Sequence, residues 1–355
     1  MFHIVNLRLG MNDINALVNT YDSDKNQILP FINTRGELKA DYLFNNFLPN
    51  WGNYPFMIDA SFITPDMYDE YNQVNGLLDH TNAFQHKYEF YERIVNVNNN
   101  LIPVISILPS RTRDNLQFLF KLENRQYKKI ALRITDLSQS SINNLFALLA
   151  ASYDVKKMLV LCDIGSIVGE NINVIQNRLD YILQRLSIEY EGIDVSIIST
   201  SFPSQKIPNR DVGEAMPHSE TPNRDVWDVI PNLDLLLYFN LKSSFQGINL
   251  IYGDYGATNP TSPIEYVPGM QIIPCVTYYD NYNWYQMKTG NNHEFSKFID
   301  LANCLVSENF YHGNYFSWGD TQIYNIANKT INNGHSGTWD GIRINQHITS
   351  IARMP

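Results

Sequence analysis

The sequence is short of the features that mark several large functional classes. It has three cysteines, Cys162, Cys275 and Cys304, far apart and each within an apolar stretch. No CxxC pair and no disulfide framework occurs, and the plain reading is reduced, buried thiols. No apolar run approaches the roughly 18–20 residues of a membrane helix. The opening MFHIVNLRLG lacks the basic-then-apolar order of a secretory leader. These absences lead us to expect a soluble cytoplasmic protein with reduced thiols, in a bacterium or in a host carrying its genes. Positive charge is scarce as well: 26 Lys and Arg stand against 36 Asp and Glu, for a formal net charge of -10 and a pI near 5.2. With no Lys/Arg run, bulk binding to a nucleic-acid duplex lacks its electrostatic driving force.

What is present is a core. Hydrophobic residues make up 44% of the 355 positions and charged ones only 17%, which rules out a disordered chain. Short, nearly continuous apolar runs recur at 3–9, 28–33, 55–61, 101–108, 129–135, 157–165, 194–201 and 248–256. Continuous rather than alternating hydrophobicity means burial on both faces, as in a parallel sheet covered by helices. Helical spacing fills most intervals, for example RDNLQFLFKLENR, SINNLFALLAAS and NVIQNRLDYILQRLSIEY. Eight such units predict an α/β protein built on a closed (β/α)8, TIM-like barrel over 1–256. The rival is an open doubly wound sheet, but the turn after the first run, Arg8-Leu9-Gly10-Met11-Asn12, carries no GxGxxG.

Two connections exceed simple βα turns: 62–83, and the Pro- and Asn-rich 202–223. The second begins a local echo, Pro208-Asn209-Arg210-Asp211-Val212 recurring as Pro222-Asn223-Arg224-Asp225-Val226. Beyond 256 the composition changes. We read 257–355 as an elaboration packed on the barrel: an aromatic hairpin (272–290, turning near Asp280-Asn281), a helix over 295–308, another after Ser317-Trp318-Gly319-Asp320, and a polar glycine-containing loop before the terminal RINQHITSIARMP. Asn12 is expected to cap the first helix, and Asp320 to satisfy free N–H groups at the start of its own.

In a closed parallel barrel all strands end on one face, and chemistry gathers there. The ends offer Arg8, Asn33 with Arg35, Asp59, Ser106, Arg133, Asp163, Ser199 with Ser201, and Asp254 beside Tyr255. Three acids, Asp59, Asp163 and Asp254, are expected to share a pocket with Arg133 as counter-ion or anion anchor. One can then hold a raised pKa while another stays ionised. Asp163 and Asp254 can also offer oxygens to Mg2+ or Ca2+, although the sequence itself names no cofactor. The alternative is an internal ion-pair network that only closes the barrel mouth. A strand-end Lys for Schiff-base chemistry and a His-x-His for a zinc hydrolase are both missing. The histidines His80, His86, His312 and His347 have no metal-ligand spacing. Trp284, with Tyr278, Tyr279 and Tyr285, is either an aromatic wall able to stack on a ligand or ordinary strand packing.

Together Asn15-Ala16-Leu17, Pro30, Asp59, Leu132-Arg133-Ile134, Asp163, Tyr252-Gly253-Asp254-Tyr255, Ser317-Trp318-Gly319-Asp320 and Asn345-Gln346-His347-Ile348 resemble the beta protein family of phages and bacteria. The resemblance spans nearly the whole chain. It departs in the 208–226 echo and in Asn rather than an acid near position 12. It implies a TIM-like barrel and a part in phage–bacterium conflict, as a defence or counter-defence component. Three functions stay open. One is a polar-ligand-binding barrel, with Arg8, Asn33, Arg133, Ser199, Tyr255 and Trp284 as contacts. Another is a hydrolase of phosphodiester or glycosidic bonds using Asp59, Asp163 and Asp254. The third is a non-catalytic scaffold that binds a protein.

Overall fold

A computed structural model describes residues 2–35, 41–60, 69–203, 209, 227–260 and 271–354. The sequence echo lies outside them, apart from Asn209, as do 62–68 of the first long loop. Eight parallel strands close on themselves: β1 (His3–Arg8), β2 (Ile28–Thr34), β3 (Phe56–Ala60), β4 (Leu101–Ser106), β5 (Ile130–Ile134), β6 (Met158–Ser166), β7 (Asp194–Thr200) and, after a strand of another sheet, β9 (Asn249–Asp254). Closure is explicit in the register, with Ile4 opposite Gly253 and Val5 opposite Asp254. The open-sheet alternative is thereby excluded. Among the described residues no helix is long and apolar enough to cross a membrane.

Alternation along each strand sorts the side chains. Ile4, Leu29, Phe31, Met57, Ile102, Val104, Ala131, Leu159, Leu161 and Ile198 fill the barrel as one apolar cluster, with Ile251 and Tyr255 against it. Each next inner position toward the C-terminal end is polar on seven strands: Asn6, Asn33, Asp59, Ser106, Arg133, Asp163 and Thr200. The barrel therefore has an apolar body and a polar layer on top of it.

Between β3 and β4 a side chain stands in for a direct ladder hydrogen bond. The Tyr91 hydroxyl, from the helix Gln85–Val95, lies 2.9 Å from the Ile58 carbonyl and 3.0 Å from that of Val104, and accepts from the Val104 N–H at 3.2 Å. The β3–β4 ladder ends at the Ile58–Pro103 pair, where this hydroxyl takes over.

The chain divides into two compact units. The barrel unit comprises Met1–Gly10, Ile28–Thr200 and Leu233–Tyr255; the other comprises Met11–Gln27, Ser201–Asn232 and Gly256–Pro355. The second unit holds an antiparallel sheet in the order β10 (Cys275–Tyr279), β11 (Asn283–Lys288), β8 (Asp228–Pro231). The β10–β11 hairpin matches expectation. β8 does not announce itself in the sequence, because its four residues, Asp-Val-Ile-Pro, are too few to show a period. Helices Lys297–Val306, Trp318–Ala327 and Ser336–Ala352 bury their apolar faces with one side of this sheet.

Here Asn345 joins three segments. It accepts from the Gly319 N–H at 2.8 Å and donates to the Ala16 carbonyl at 2.8 Å. Gly319 has to be glycine, since a Cβ there would come within 2.4 Å of the Ile342 carbonyl oxygen. Two local expectations need correction. The first helix starts at Met11, so Asn12 lies within it rather than capping it. Ser317, not Asp320, caps the helix Trp318–Ala327, accepting from the Asp320 N–H, while the Asp320 carboxylate accepts from the hydroxyls of Ser317 and Tyr278.

Candidate functional site

The polar layer is organised by Arg133 on β5. Its Nε and one terminal nitrogen donate to Asp163 Oδ2 at 3.0 and 2.6 Å; the other donates to Asp59 Oδ2 and Asn33 Oδ1 at 3.0 and 2.9 Å. The guanidinium carbon also lies 4.9 Å from the Phe31 ring centroid, over the top of the apolar body. Asp59 is held from every side. Lys87 donates to its Oδ1 at 2.6 Å, the Ala60 N–H does so at 2.8 Å, and the Ser106 hydroxyl donates to Oδ2. Asp163 Oδ1 accepts from the Tyr255 hydroxyl. Asn33 in turn donates to Asn6.

Two acids are thus matched by two bases in a water-poor setting. Burial alone would raise the Asp59 pKa, but Lys87 and Arg133 outweigh it and hold the carboxyl below its ordinary value. Burial opposes the charge on Arg133 too, and Asp163 and Asp59 more than restore it. The Tyr255 phenol is pushed well above its usual range by burial and then by the Asp163 charge, so it stays a neutral donor.

Of the residues picked from sequence, Asn33, Asp59, Arg133, Asp163 and Tyr255 come together here, and Ser106 joins them. Arg8 leaves β1 on this inner face, one alternation beyond Asn6. Asp254 and Ser199 do not join them. Asp254 alternates with the inward Tyr255 and accepts from Tyr252, whose ring packs edge-on against His3 and Tyr238 on the outer side of the sheet. Ser199 donates outward to Asp234, on the helix Leu233–Ser244, at 2.7 Å. The shared pocket of three acids is therefore a pair, Asp59 and Asp163, bridged by Arg133.

Trp284 is 2% exposed in the second unit, with Tyr279, His347 and Phe202 around its ring at centroid distances of 4.6, 4.8 and 5.1 Å. Tyr278, Tyr279 and Tyr285 are buried as well, as strand packing requires. His86 pairs with Asp79 near the surface, and His312 packs on Tyr278 and Phe316.

Sequence reading missed Lys87 and Asn6. Lys87 belongs to a helix, where a lysine normally signals solvent. Asn6 sits two residues before Arg8 on the same face, a spacing that was visible in the sequence.

A hard cation needs free oxygens, and this layer offers few. The Asp59 oxygens face two cations, a hydroxyl and an N–H, and those of Asp163 face Arg133 and Tyr255. Asp254 lies on the opposite face from Asp163. The residues do not fit Mg2+ or Ca2+, and among the described residues no group of three His, Cys, Asp or Glu is placed to hold a metal.

Comparison with curated proteins yields no match, and comparison with solved structures yields none. The model of one family, described as "Beta protein", does match, over residues 5–353. That match runs from within β1 through the terminal helix, and the chain belongs to the beta protein family.

Proposed function

We propose that the C-terminal end of the barrel binds a small polar ligand, and that through this binding the protein acts in phage–bacterium conflict. One observation carries the ligand reading. The strands deliver two acids and an arginine to a single inner layer, and a helix adds Lys87 from the side. Burying such a set costs several kcal/mol per ion before pairing repays it, and apolar side chains of equal volume are often as stable or more so. A polar layer of this kind, at the end of a parallel barrel where ligands bind, is a preformed floor rather than a stability device.

The same geometry argues against hydrolysis by these acids. Asp59 is ionised and fully engaged, so it has no proton to give a leaving group, and its partner Asp163 is bridged to the same arginine. Family membership supports the conflict role.

Thermal unfolding of the full chain against a panel of sugars, nucleosides, nucleotides and amino acids tests the ligand reading. At least one compound should raise the midpoint saturably, and Tyr255→Phe should weaken that response. A panel without any effect would remove the reading. For the conflict role, phage plating efficiency on bacteria expressing the wild type should differ from that on cells expressing Tyr255→Phe. Equal plating on both and on empty-vector cells would count against it.

A further inference from the structure

We propose that the inner face of β1 carries an oxyanion subsite, in which the side-chain N–H of Asn6 and the guanidinium of Arg8 receive a carboxylate or phosphate group. The inference rests on the reading of the barrel end as a ligand site and names the chemistry that site selects.

The direction of a hydrogen-bond chain sets the polarity. Arg133 can only donate, so the Asn33 atom 2.9 Å from it is the carbonyl oxygen. The Asn33 amide nitrogen therefore faces Asn6, and the Asn6 atom that meets it is again the oxygen. This leaves the Asn6 Nδ2 at the end of the chain. Asn6 is 1% exposed, and among the described residues Nδ2 has no hydrogen-bond partner. Rotating the Asn6 amide would oppose two NH2 groups, and rotating Asn33 as well would oppose an NH2 to Arg133. The fixed charge on Arg133 thus imposes an outstanding donor at Asn6. An unmet buried donor costs roughly 1–3 kcal/mol.

Arg8 projects from the same face, about 6–7 Å further toward the strand's C-terminal end. A neutral donor followed by a cation, beside acids already engaged by their own partners, suits an acceptor that is itself negative. The competing occupant is water. Among the described residues Ser196 Oγ, on the inner face of β7, also lacks a partner, and a buried water needs two or more such groups.

The test uses the full chain, with inorganic phosphate and acetate as separate probes at an ionic strength fixed with chloride. The thermal midpoint should rise saturably with at least one of them, and which one identifies the source of the oxyanion. Asn6→Asp keeps an acceptor for Asn33 but deletes the donor, and should weaken the apparent affinity about tenfold or more. Arg8→Gln should weaken it in the same direction, and decides the matter if Asn6→Asp fails to fold. A wild type that responds to neither anion beyond chloride overturns the subsite, as does either folded variant responding like wild type. If the anions fail while a neutral sugar or nucleoside still raises the midpoint, and Tyr255→Phe abolishes that rise, the subsite is wrong and the ligand reading stands.

Discussion

Arg133 shows how much a single side chain can determine. Its guanidinium holds Asp59, Asp163 and Asn33 together, and all are buried. Replacing it with methionine fills much the same volume but leaves two carboxylates without their shared cation. Breaking a buried pair from one side costs about 3–5 kcal/mol, so Arg133→Met should lower the urea midpoint accordingly; a loss under 1 kcal/mol would show that the layer contributes little to stability. The pH response of Asp59 follows from the direction of its shift. A carboxyl held below its ordinary value of 3.8 contributes stability that is present above that pH and lost as pH falls through the lower folded value. Strand ends made Asn33, Asp59, Arg133 and Asp163 legible, because a parallel barrel points them all one way. Asp254 misled because one residue along a strand exchanges the inner face for the outer, and the glycines around it blur the alternation. Lys87 reaches Asp59 from the helix Gln85–Val95, and no strand-based reading finds such a residue.

At the scale of elements, the strand positions could be read almost to the residue, since two-sided burial makes each strand a continuous apolar run. Repairs between elements could not. Between β3 and β4 the Tyr91 hydroxyl accepts from the Val104 N–H and lies 2.9 Å from the Ile58 carbonyl, standing in for a direct bond between the strands. Tyr91→Phe keeps the packed ring and strands these backbone groups, so it should cost roughly 1–3 kcal/mol. A change of only a few tenths, measured by chemical denaturation, would mean the strands close the gap themselves. In the second unit the Ser-Trp-Gly-Asp and Asn-Gln-His-Ile motifs turn out to be fasteners. Gly319 permits the close approach at Ile342, and Asn345 ties that crossing to the helix Met11–Val18. Gly319→Ala should cost about 1–3 kcal/mol by overpacking, visible as a lower thermal midpoint; an unchanged midpoint would show that the helices separate freely.

For the whole molecule, two buried groups titrate against each other. Burial lowers the His3 pKa from 6.5 to about 4, with the Asp254 charge only partly offsetting it. The unfolded chain therefore binds this proton more readily, and stability rises as pH increases from about 4 to 6.5. Burial raises Asp320 from 3.8 to about 6, against the hydrogen bonds of Ser317 and Tyr278. The folded chain keeps that proton longer, so stability falls as pH increases from 3.8 to about 6. Each effect is on the order of 3 kcal/mol, and over pH 4–6 they oppose one another. Urea denaturation of the wild type should show little net slope from these two groups in that window. Asp320→Asn removes the falling contribution and should leave stability climbing with pH. His3→Phe removes the rising one and should leave it declining. Parallel pH profiles for the two variants would show that neither group is titrating as its burial requires.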